Sequence, residues 1–504
     1  MDRGSSRPIS RRTLLSAGVA AVAGTTLGGC GMFGEEPGDD GPALDPVTGV
    51  ALREPEMLRS DGGVLRVTLE AAAGTHEVAG REVTTLGYNG GLPGPTLALR
   101  AGDRLQVHLV NGLDEDTNLH VHGLHVSPRD NGDNVFVSVA PGDSFDYDYQ
   151  LPDDHPPGVY WYHPHLHGLV ADQVYGGLYG AIVVEDPDPV DVARERLLVV
   201  SDLSLDASGR VVAPSQMEQM MGREGELVLV NGQVAPRIEM AAGRRERWRV
   251  VNACSARFLS LRLDGHAMHL LGMDSGRFAE PRATDHVLLL PGNRADLLVT
   301  AARGKGVLRA LPYDRGGMGM MGGMRSRGTG PVPLATLTVT ADGTAGTGPL
   351  PGFDPPRDLR EEDVAGRREL VFATGMGGMG MGGMGMGTGR AMGDMMSFTI
   401  DGREFAHDRV DQEVRAGTVE EWTIRNDSPM DHPFHLHVWP MQVLEENGTA
   451  HEAPVWQDVV NVPARGSVRV RVAFDDFDGR TVYHCHILDH EDRGMMGVVE
   501  ASVG

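Results

Sequence analysis

Residues 417–426 read GTVEEWTIRN, a stretch of alternating apolar and polar side chains that runs from a glycine to an asparagine. This alternation has the period of a β-strand with one buried face. Two further copies exist, and in each of them the asparagine lies nine positions after the glycine. They read GDRLQVHLVN at residues 102–111 and GRRERWRVVN at residues 243–252. A pattern that recurs along a chain indicates a repeated structural unit.

Each copy continues into a triplet that begins nine residues after the asparagine. The outer copies have His120-Val121-His122 and His435-Leu436-His437 there, whereas the middle copy has Leu261-Arg262-Leu263. The strand itself therefore does not require histidine. Frequent turn signals with little helical periodicity indicate an all-β chain. We predict three tandem β-domains at residues 62–187, 190–345 and 397–504, with a linker at residues 346–396.

The composition excludes several classes of protein. The 504 residues carry a net charge of -25, which argues against nucleic-acid binding because such proteins present a basic surface. Only three cysteines occur, so the chain cannot contain a disulfide framework. The 20 histidines and 25 methionines are many for this length, and copper proteins use both residue types as ligands.

The N-terminus has the pattern of an export signal. Arg11 and Arg12 precede a short apolar stretch at residues 17–27, which resembles a twin-arginine signal at residues 1–29. Cys30 follows Leu27-Gly28-Gly29 as in a bacterial lipobox, although an ordinary cleavage site beside an incidental cysteine is the alternative. We expect residues 30–61 to form a tether from a lipid on Cys30. The protein would then be held at the outer face of the cytoplasmic membrane through that lipid alone, as a monomer.

Four His-x-His pairs occur in the outer domains. Alternate side chains of a strand share one face, so each pair presents two imidazoles together. Eight imidazoles are enough for a cluster of three metal ions if the outer domains meet. The pairs are His120 and His122, His163 and His165, His435 and His437, and His484 and His486.

The same alternation sends Cys485 to the face opposite His484 and His486. The thiolate then belongs to a different metal ion, completed by His432 and His490 with Met495 as a distant axial ligand. A trigonal site of one cysteine and two histidines with a weak axial methionine is typical of blue copper. The first domain has Pro164 at the cysteine position and cannot build this site.

These motifs, in this order, resemble those of the three-domain multicopper oxidases, the laccase-like and cuprous-oxidase enzymes built from Greek-key cupredoxin β-barrels. The resemblance implies four copper ions and one-electron oxidation of a substrate, coupled to four-electron reduction of O2 to water. Copper-free relatives have lost these ligands, and this chain has not. The implied ligands are His432, Cys485, His490 and Met495 for type 1 copper, His120 and His435 for type 2, and His122, His163, His165, His437, His484 and His486 for the type 3 pair.

The resemblance also implies acidic residues that supply protons to the reduction of O2. Glu491, directly after His490, matches one of them. For the other, Asn131 occupies the position where relatives often have aspartate, so we expect Asp133, with Asp130 as the alternative.

The methionine excess is concentrated in two glycine-rich stretches, for which we expect flexible loops because alternating glycine and methionine cannot build a packed core. Thioethers suit Cu(I), so we predict capture of cuprous ion beside the type 1 site, with Met430 and Asp427 as an inner site. Laccase-type oxidation of phenols and a copper-sequestering lipoprotein are the alternatives, and a low-complexity insertion without affinity is another. The stretches contain Met318, Met320, Met321 and Met324, and then Met376, Met379, Met381, Met384, Met386, Met392, Met395 and Met396.

Overall fold

The three copies of the repeat form equivalent strands in the computed structural model, which describes residues 49–317, 330–340, 348–376 and 396–503. The prediction of an all-β chain is confirmed, because the α-helices in these ranges are three short segments of five to seven residues. No helix in the same ranges is long and apolar enough to cross a bilayer. The described residues belong to one compact unit, Leu44–Gly504.

The first domain contains two sheets. Its elements are β1 (Met57–Arg59), β2 (Val64–Val78), β3 (Arg81–Tyr88), β4 (Thr96–Leu99), β5 (Arg104–Gly112), β6 (His120–His122), β7 (Ser144–Gln150), β8 (Gly158–His163), α1 (Val170–Gly176) and β9 (Gly180–Val184). The strand orders are β1-β4-β9-β8-β6 and β3-β2-β5-β7. The first strand, β1, lies in the stretch predicted as a tether and pairs in parallel with β4.

The second domain also contains two sheets. Its elements are β10 (Arg194–Leu203), α2 (Gln216–Met221), β11 (Leu227–Val230), β12 (Arg237–Ala241), β13 (Arg245–Asn252), β14 (Leu259–Leu263), β15 (Ala267–Met273), β16 (Gly276–Thr284), β17 (Val287–Leu289), β18 (Arg294–Thr300), β19 (Lys305–Leu311) and β20 (Val332–Thr340). The strand orders are β11-β10-β13-β18-β15-β16 and β12-β20-β19-β14-β17.

The third domain opens with a 3-10 helix at Leu359–Glu361. Its elements are β21 (Val364–Met376), β22 (Met396–Ile400), β23 (Gln412–Arg415), β24 (Val419–Asn426), β25 (His432–Leu436), β26 (Met441–Glu446), β27 (Thr449–Ala450), β28 (Trp456–Gln457), β29 (Val459–Val462), β30 (Ser467–Ala473), β31 (Gly479–Cys485), α3 (Leu488–Asp492) and β32 (Met496–Ser502). The strand orders are β22-β21-β24-β30-β26-β27, with β28 beside β26, and β23-β32-β31-β25-β29.

The linker predicted at residues 346–396 contains a strand of the third domain. β21 pairs in parallel with β24 and antiparallel with β22, so the third domain includes residues before 397. The sequence misled here because the methionine- and glycine-rich stretch separates β21 from β22 and hides their pairing.

The repeated stretch occupies the same place in every domain. Its strands β5, β13 and β24 each lie between a parallel and an antiparallel neighbour. The asparagine that ends the stretch is fully buried in all three copies, at Asn111, Asn252 and Asn426. Each side chain donates to two backbone carbonyls and accepts one backbone N–H two residues ahead. The asparagine thereby fixes the turn that leads to the closing triplet.

We expect Asn252→Ala to lower the free energy of unfolding by about 3 kcal/mol, because it leaves the carbonyls of Arg257 and Leu289 and the N–H of Cys254 buried without partners. Chemical denaturation measures this. The exposed Glu280→Ala of the same domain is the control and should change stability by less than about 0.5 kcal/mol. Equal effects of the two substitutions would contradict the role assigned to the asparagine.

Candidate metal centres

Strand register brings the histidine pairs together. β6 and β8 run antiparallel with His120 opposite His163, and β25 and β31 run antiparallel with His435 opposite His484. Directly opposite residues of an antiparallel pair have neighbouring side chains. All eight histidines of the four pairs are buried, none of them more than 2% exposed.

The outer domains meet at these histidines. The ring of His120 stacks on that of His437 with centroids 3.8 Å apart, and the ring of His122 stacks on that of His435 at 3.9 Å. The Nε2 atom of His484 lies 3.1 Å from Nε2 of His437 and 3.1 Å from Nε2 of His165. The histidine cluster, meaning these eight residues of the four His-x-His pairs, is therefore a single site shared by two domains.

Protein groups hold one nitrogen of several rings and leave the other unpaired. Asp133 lies 2.9 Å from Nδ1 of His120, the carbonyl of Pro164 lies 2.8 Å from Nδ1 of His163, and the carbonyl of Asp458 lies 2.7 Å from Nδ1 of His435. The Nε2 atoms of these three histidines have no hydrogen-bond partner in the described part of the chain.

His122 is held the other way round, with Nε2 3.1 Å from Asp458 and Nδ1 unpartnered among the described residues. An unpaired buried ring nitrogen costs free energy, which a bound metal ion removes. Burial also lowers the pKa of His163 to about 3 and that of His165 to about 4, so both rings are neutral at pH 7 and free to bind metal. The histidine cluster therefore fits copper, which prefers imidazole.

A second group of ligands converges on Cys485. Its Sγ lies 3.3 Å from Nδ1 of His432 and 3.9 Å from Nδ1 of His490, and these two nitrogens are 3.3 Å apart. The remote nitrogens are held elsewhere, His432 Nε2 by the Ser428 hydroxyl at 2.8 Å and His490 Nε2 by the Met220 carbonyl at 3.1 Å. Both rings therefore present Nδ1 to the thiol.

Met495, the predicted axial ligand, is fully buried in the same apolar cluster as Cys485. The N–H of Cys485 donates to the carbonyl of Met495, and the N–H of Met495 donates to the carbonyl of His490, each at 3.0 Å. Burial raises the pKa of the Cys485 thiol, and a bound metal cation reverses this because it stabilises the thiolate. The donor set of one cysteine and two histidines fits copper.

The structure separates the two candidate aspartates. Asp133 is buried, contacts His120 and accepts the N–H of Val121, whereas Asp130 is exposed. Burial raises the pKa of Asp133 to about 7. A carboxyl group with this pKa gains and loses protons near neutral pH.

Glu491 is also buried, with Oε2 3.0 Å from Nδ1 of His484 and Oε1 3.4 Å from Nε2 of His165. Burial favours the neutral form of Glu491, but its interactions with the neighbouring His484 and His165 outweigh burial, so the pKa of Glu491 is lowered from its usual value. The two predicted acids thus lie on different ligands of the histidine cluster, Asp133 on His120 and Glu491 on His484.

The predicted inner substrate site is only partly assembled. Met430 is buried, 4% exposed, two residues before His432. Asp427 is exposed, and its carboxylate lies 3.1 Å from Arg425, so Ser428 and not Asp427 contacts His432. Of the methionine-rich stretches, the side chain of Met376 and the residues Met318, Met320, Met321, Met324, Met379, Met381, Met384, Met386, Met392 and Met395 lie outside the described residues, as does the N-terminal segment with Arg11, Arg12 and Cys30.

Sequence reasoning missed the helix above the Cys485 site. α2 places Met217, Met220 and Met221 at helical spacing, and the Met220 carbonyl contacts His490. The available signal was the capping box formed by Ser215 and Glu218 around this short methionine-rich segment. Asp458 was also missed, because its place in the chain carries no spacing signal.

Comparison with known proteins agrees with this geometry. Multicopper oxidase family profiles match residues 70–189, 202–308 and 385–504. The multicopper oxidase of Campylobacter jejuni, described as a metallo-oxidase, has a solved structure that matches with a TM-score of 0.78 at 31% identity, covering 90% of this chain and 95% of that one. A laccase-like multicopper oxidase from the lignin-degrading bacterium Ochrobactrum sp. matches with a TM-score of 0.75 at 27% identity, covering 90% of this chain and 100% of that one.

Cell division protein FtsP of Sodalis glossinidius is 28% identical over 506 residues, which cover 97% of this chain and 98% of FtsP. The relatives thus carry different functional names, but the chain retains the histidine cluster and the Cys485 site. The chain belongs to the multicopper oxidase family and is a copper-dependent oxidoreductase.

Proposed function

We propose that this protein is a cuprous oxidase of the bacterial cell envelope, which oxidises four Cu(I) ions to Cu(II) while one O2 and four protons become two waters. It would protect the cell from copper after export by the twin-arginine route and lipid attachment at Cys30. Four resident copper ions are proposed. Type 1 copper would be held by His432, Cys485, His490 and Met495, type 2 by His120 and His435, and the type 3 pair by His122, His163, His165, His437, His484 and His486.

When bound, copper supplies one-electron acceptance at the Cys485 site and four-electron reduction of O2 at the histidine cluster. The chain connects the two sites covalently, because Cys485 is bonded in sequence to His484 and His486. Asp133 and Glu491 would move protons to the cluster, since each lies within about 3 Å of a ligand ring. Both carboxyl groups are buried at the cluster.

The observation that carries the proposal is the methionine helix, α2, which covers His490. Met217, Met220 and Met221 are all half-buried there, and their thioethers are soft ligands suited to Cu(I). A β-carbon at Gly317 would lie 3.4 Å from Cε of Met221, so the chain enters the first methionine-rich stretch directly beside this helix. His490 itself is fully buried, which favours a small metal ion over a bulky phenol as electron donor.

The methionine helix is anchored beside the Cys485 site by the two residues that follow it. Gly222 follows the last helical residue, and a β-carbon there would lie 2.6 Å from Cγ2 of Ile487, so only glycine permits this approach. The next residue, Arg223, donates from Nη2 to Oδ1 of Asp489 at 2.6 Å and from Nε to Oδ2 at 3.2 Å. A bidentate arginine–carboxylate pair fixes both distance and orientation. The helix is therefore held on α3, which carries His490.

Two further considerations favour a metal substrate. The net charge of -25 attracts cations to the protein surface. The structurally similar Campylobacter jejuni enzyme is described as a metallo-oxidase. The second candidate is a laccase-type phenol oxidase, supported by the described activity of the Ochrobactrum enzyme on lignin model compounds. A copper-sequestering lipoprotein without turnover is the third, and it requires only the methionine residues.

We expect Cys485→Ser to lower oxygen consumption with Cu(I) by at least about 100-fold, because the thiolate that would hold the electron-accepting copper ion is lost. An oxygen electrode measures this on copper-loaded protein. Cys254→Ala, at the other described free cysteine, is the matched control and should retain activity. Full oxygen consumption by the Cys485→Ser variant would exclude the oxidase mechanism, and absence of turnover in the unaltered protein would favour sequestration.

Replacing Met217, Met220 and Met221 together by leucine should raise KM for Cu(I) about tenfold, equivalent to about 1.4 kcal/mol, because the volume is kept while the soft ligands are lost. Turnover of a phenol should not fall. Met57→Leu, a half-exposed methionine on β1, is the control. A proportional loss of both activities would indicate damage to the Cys485 site and would contradict a substrate-binding role.

The second methionine-rich stretch can be removed without disturbing its flanking strands. Met376 and Met396 are antiparallel partners, so residues 377–395 can be replaced by an Asn-Gly hairpin turn. We expect oxidation at low Cu(I) concentration to slow about tenfold and oxidation of a bulky phenol to be retained or increased. Unchanged kinetics with Cu(I) would show that this stretch does not capture the substrate.

A further inference from the structure

The middle domain carries none of the predicted copper ligands, yet one of its turns lies against the histidine cluster. This turn, residues 290–294, contains Pro291-Gly292-Asn293, and similar turns occur at Pro141-Gly142-Asp143 in the first repeat and at Pro463-Ala464-Arg465-Gly466 in the third. It leads into β18, which begins at Arg294. Gly292 has φ +88°, and a β-carbon there would lie 2.9 Å from Nε2 of His486. A residue with a β-carbon would clash with His486 at this position, so the turn requires glycine to approach this ligand so closely.

Arg294, at the end of this turn, contacts all three domains. Its guanidinium donates through Nη1 and Nη2 to the two carboxylate oxygens of Asp458 in the third domain, the second bond being 2.7 Å. Its Nε donates to the carbonyl of Val159 in the first domain at 3.0 Å. The side chain is fully buried, so the pair is fixed in position by the surrounding packing.

Asp458 connects Arg294 to two ligands of the histidine cluster. Its Oδ1 lies 3.1 Å from Nε2 of His122, and its backbone carbonyl lies 2.7 Å from Nδ1 of His435. These contacts occupy one nitrogen of each ring and leave His122 Nδ1 and His435 Nε2 for metal. A partner on the remote nitrogen sets both the tautomer and the orientation of a ligating histidine.

Asp274, also in the middle domain, fixes the backbone on both sides of this contact. Its carboxylate accepts the N–H of Arg294 at 2.9 Å and the N–H groups of Asp458 and Val459 at 3.1 and 3.2 Å. The amide of Asn293 donates to the same carboxylate and to the carbonyl of Val459 at 2.9 Å. The turn and the segment around Asp458 are therefore joined as one buried polar network.

We propose that the middle domain positions ligands of the histidine cluster through this turn, with Arg294, Asp274 and Asp458 as positioning residues for His122 and His435. This assigns the ligand-free domain a part in holding the cluster metals. The Cys485 site does not depend on this network, because Cys485 points to the opposite face of its strand. The inference rests on copper occupancy of the cluster and is independent of which reductant the enzyme uses.

The test is Arg294→Met, read out by copper content per chain and by electron paramagnetic resonance, in which type 1 and type 2 copper give separate signals. We expect the type 2 signal to be lost or altered, and cluster copper to be released to a chelator about 10–100-fold more readily. The type 1 signal should persist as an internal reference. Arg247→Met is the matched control, because Arg247 is equally buried in the middle domain but pairs with Asp296 and Asp186, away from the cluster.

Arg294→Lys keeps the charge but cannot form the bidentate contact, so it should give an intermediate loss of the type 2 signal and of copper retention. If Arg294→Met does not fold, the Arg294→Lys variant tests the positioning role. Normal type 2 signal and copper retention in the Arg294 variants would overturn the proposal. So would parallel loss of the type 1 and type 2 signals, or an equal effect of Arg247→Met, because either result indicates general destabilisation in place of ligand positioning.

Discussion

Four buried imidazoles of the histidine cluster, those of His120, His122, His163 and His435, each give one ring nitrogen to a protein group and keep the other for a metal ion. Most of this structure depends on that constraint, because a buried ring nitrogen with neither partner costs free energy. The protein supplies these partners to rings from both the first and the third domain. They are the carboxylate of Asp133, the carbonyl of Pro164, and the carboxylate and backbone carbonyl of Asp458. The histidine cluster is complete only where the first and third domains meet. Arg294 of the middle domain contacts both of them, at the carbonyl of Val159 and at the carboxylate of Asp458.

One strand connects the two kinds of metal site. In β31 and the residue that follows it, the alternation of side chains sends Cys485 to one face, while His484 and His486 lie beside His435 of the histidine cluster on the other. The Cys485 site and the histidine cluster are thereby covalent neighbours without sharing a ligand. The methionine helix contacts His490, a member of the Cys485 site, through the carbonyl of Met220.

The sequence predicted the parts of the site that follow strand periodicity. The four His-x-His pairs, and the separate direction of Cys485, follow from a period of two residues, and the repeat identified the β-domains. Contacts made by turn residues and by backbone carbonyls leave no periodic pattern in the sequence and could not be predicted from it. The turn after Asn426 is an example: Asn426 accepts the N–H of Ser428, and it is Ser428 that contacts His432 while Asp427 pairs outward with Arg425. Burial, which the sequence does not report, distinguishes Asp133 from Asp130.

The most direct test of the account is the ratio of Cu(I) oxidised to O2 consumed, with hydrogen peroxide assayed in the same reaction. If the Cys485 site passes electrons to an intact histidine cluster, four Cu(I) ions are oxidised per O2 and no peroxide accumulates. A ratio of two Cu(I) per O2, with peroxide as product, would contradict the account, because it would mean that O2 is reduced without the cluster.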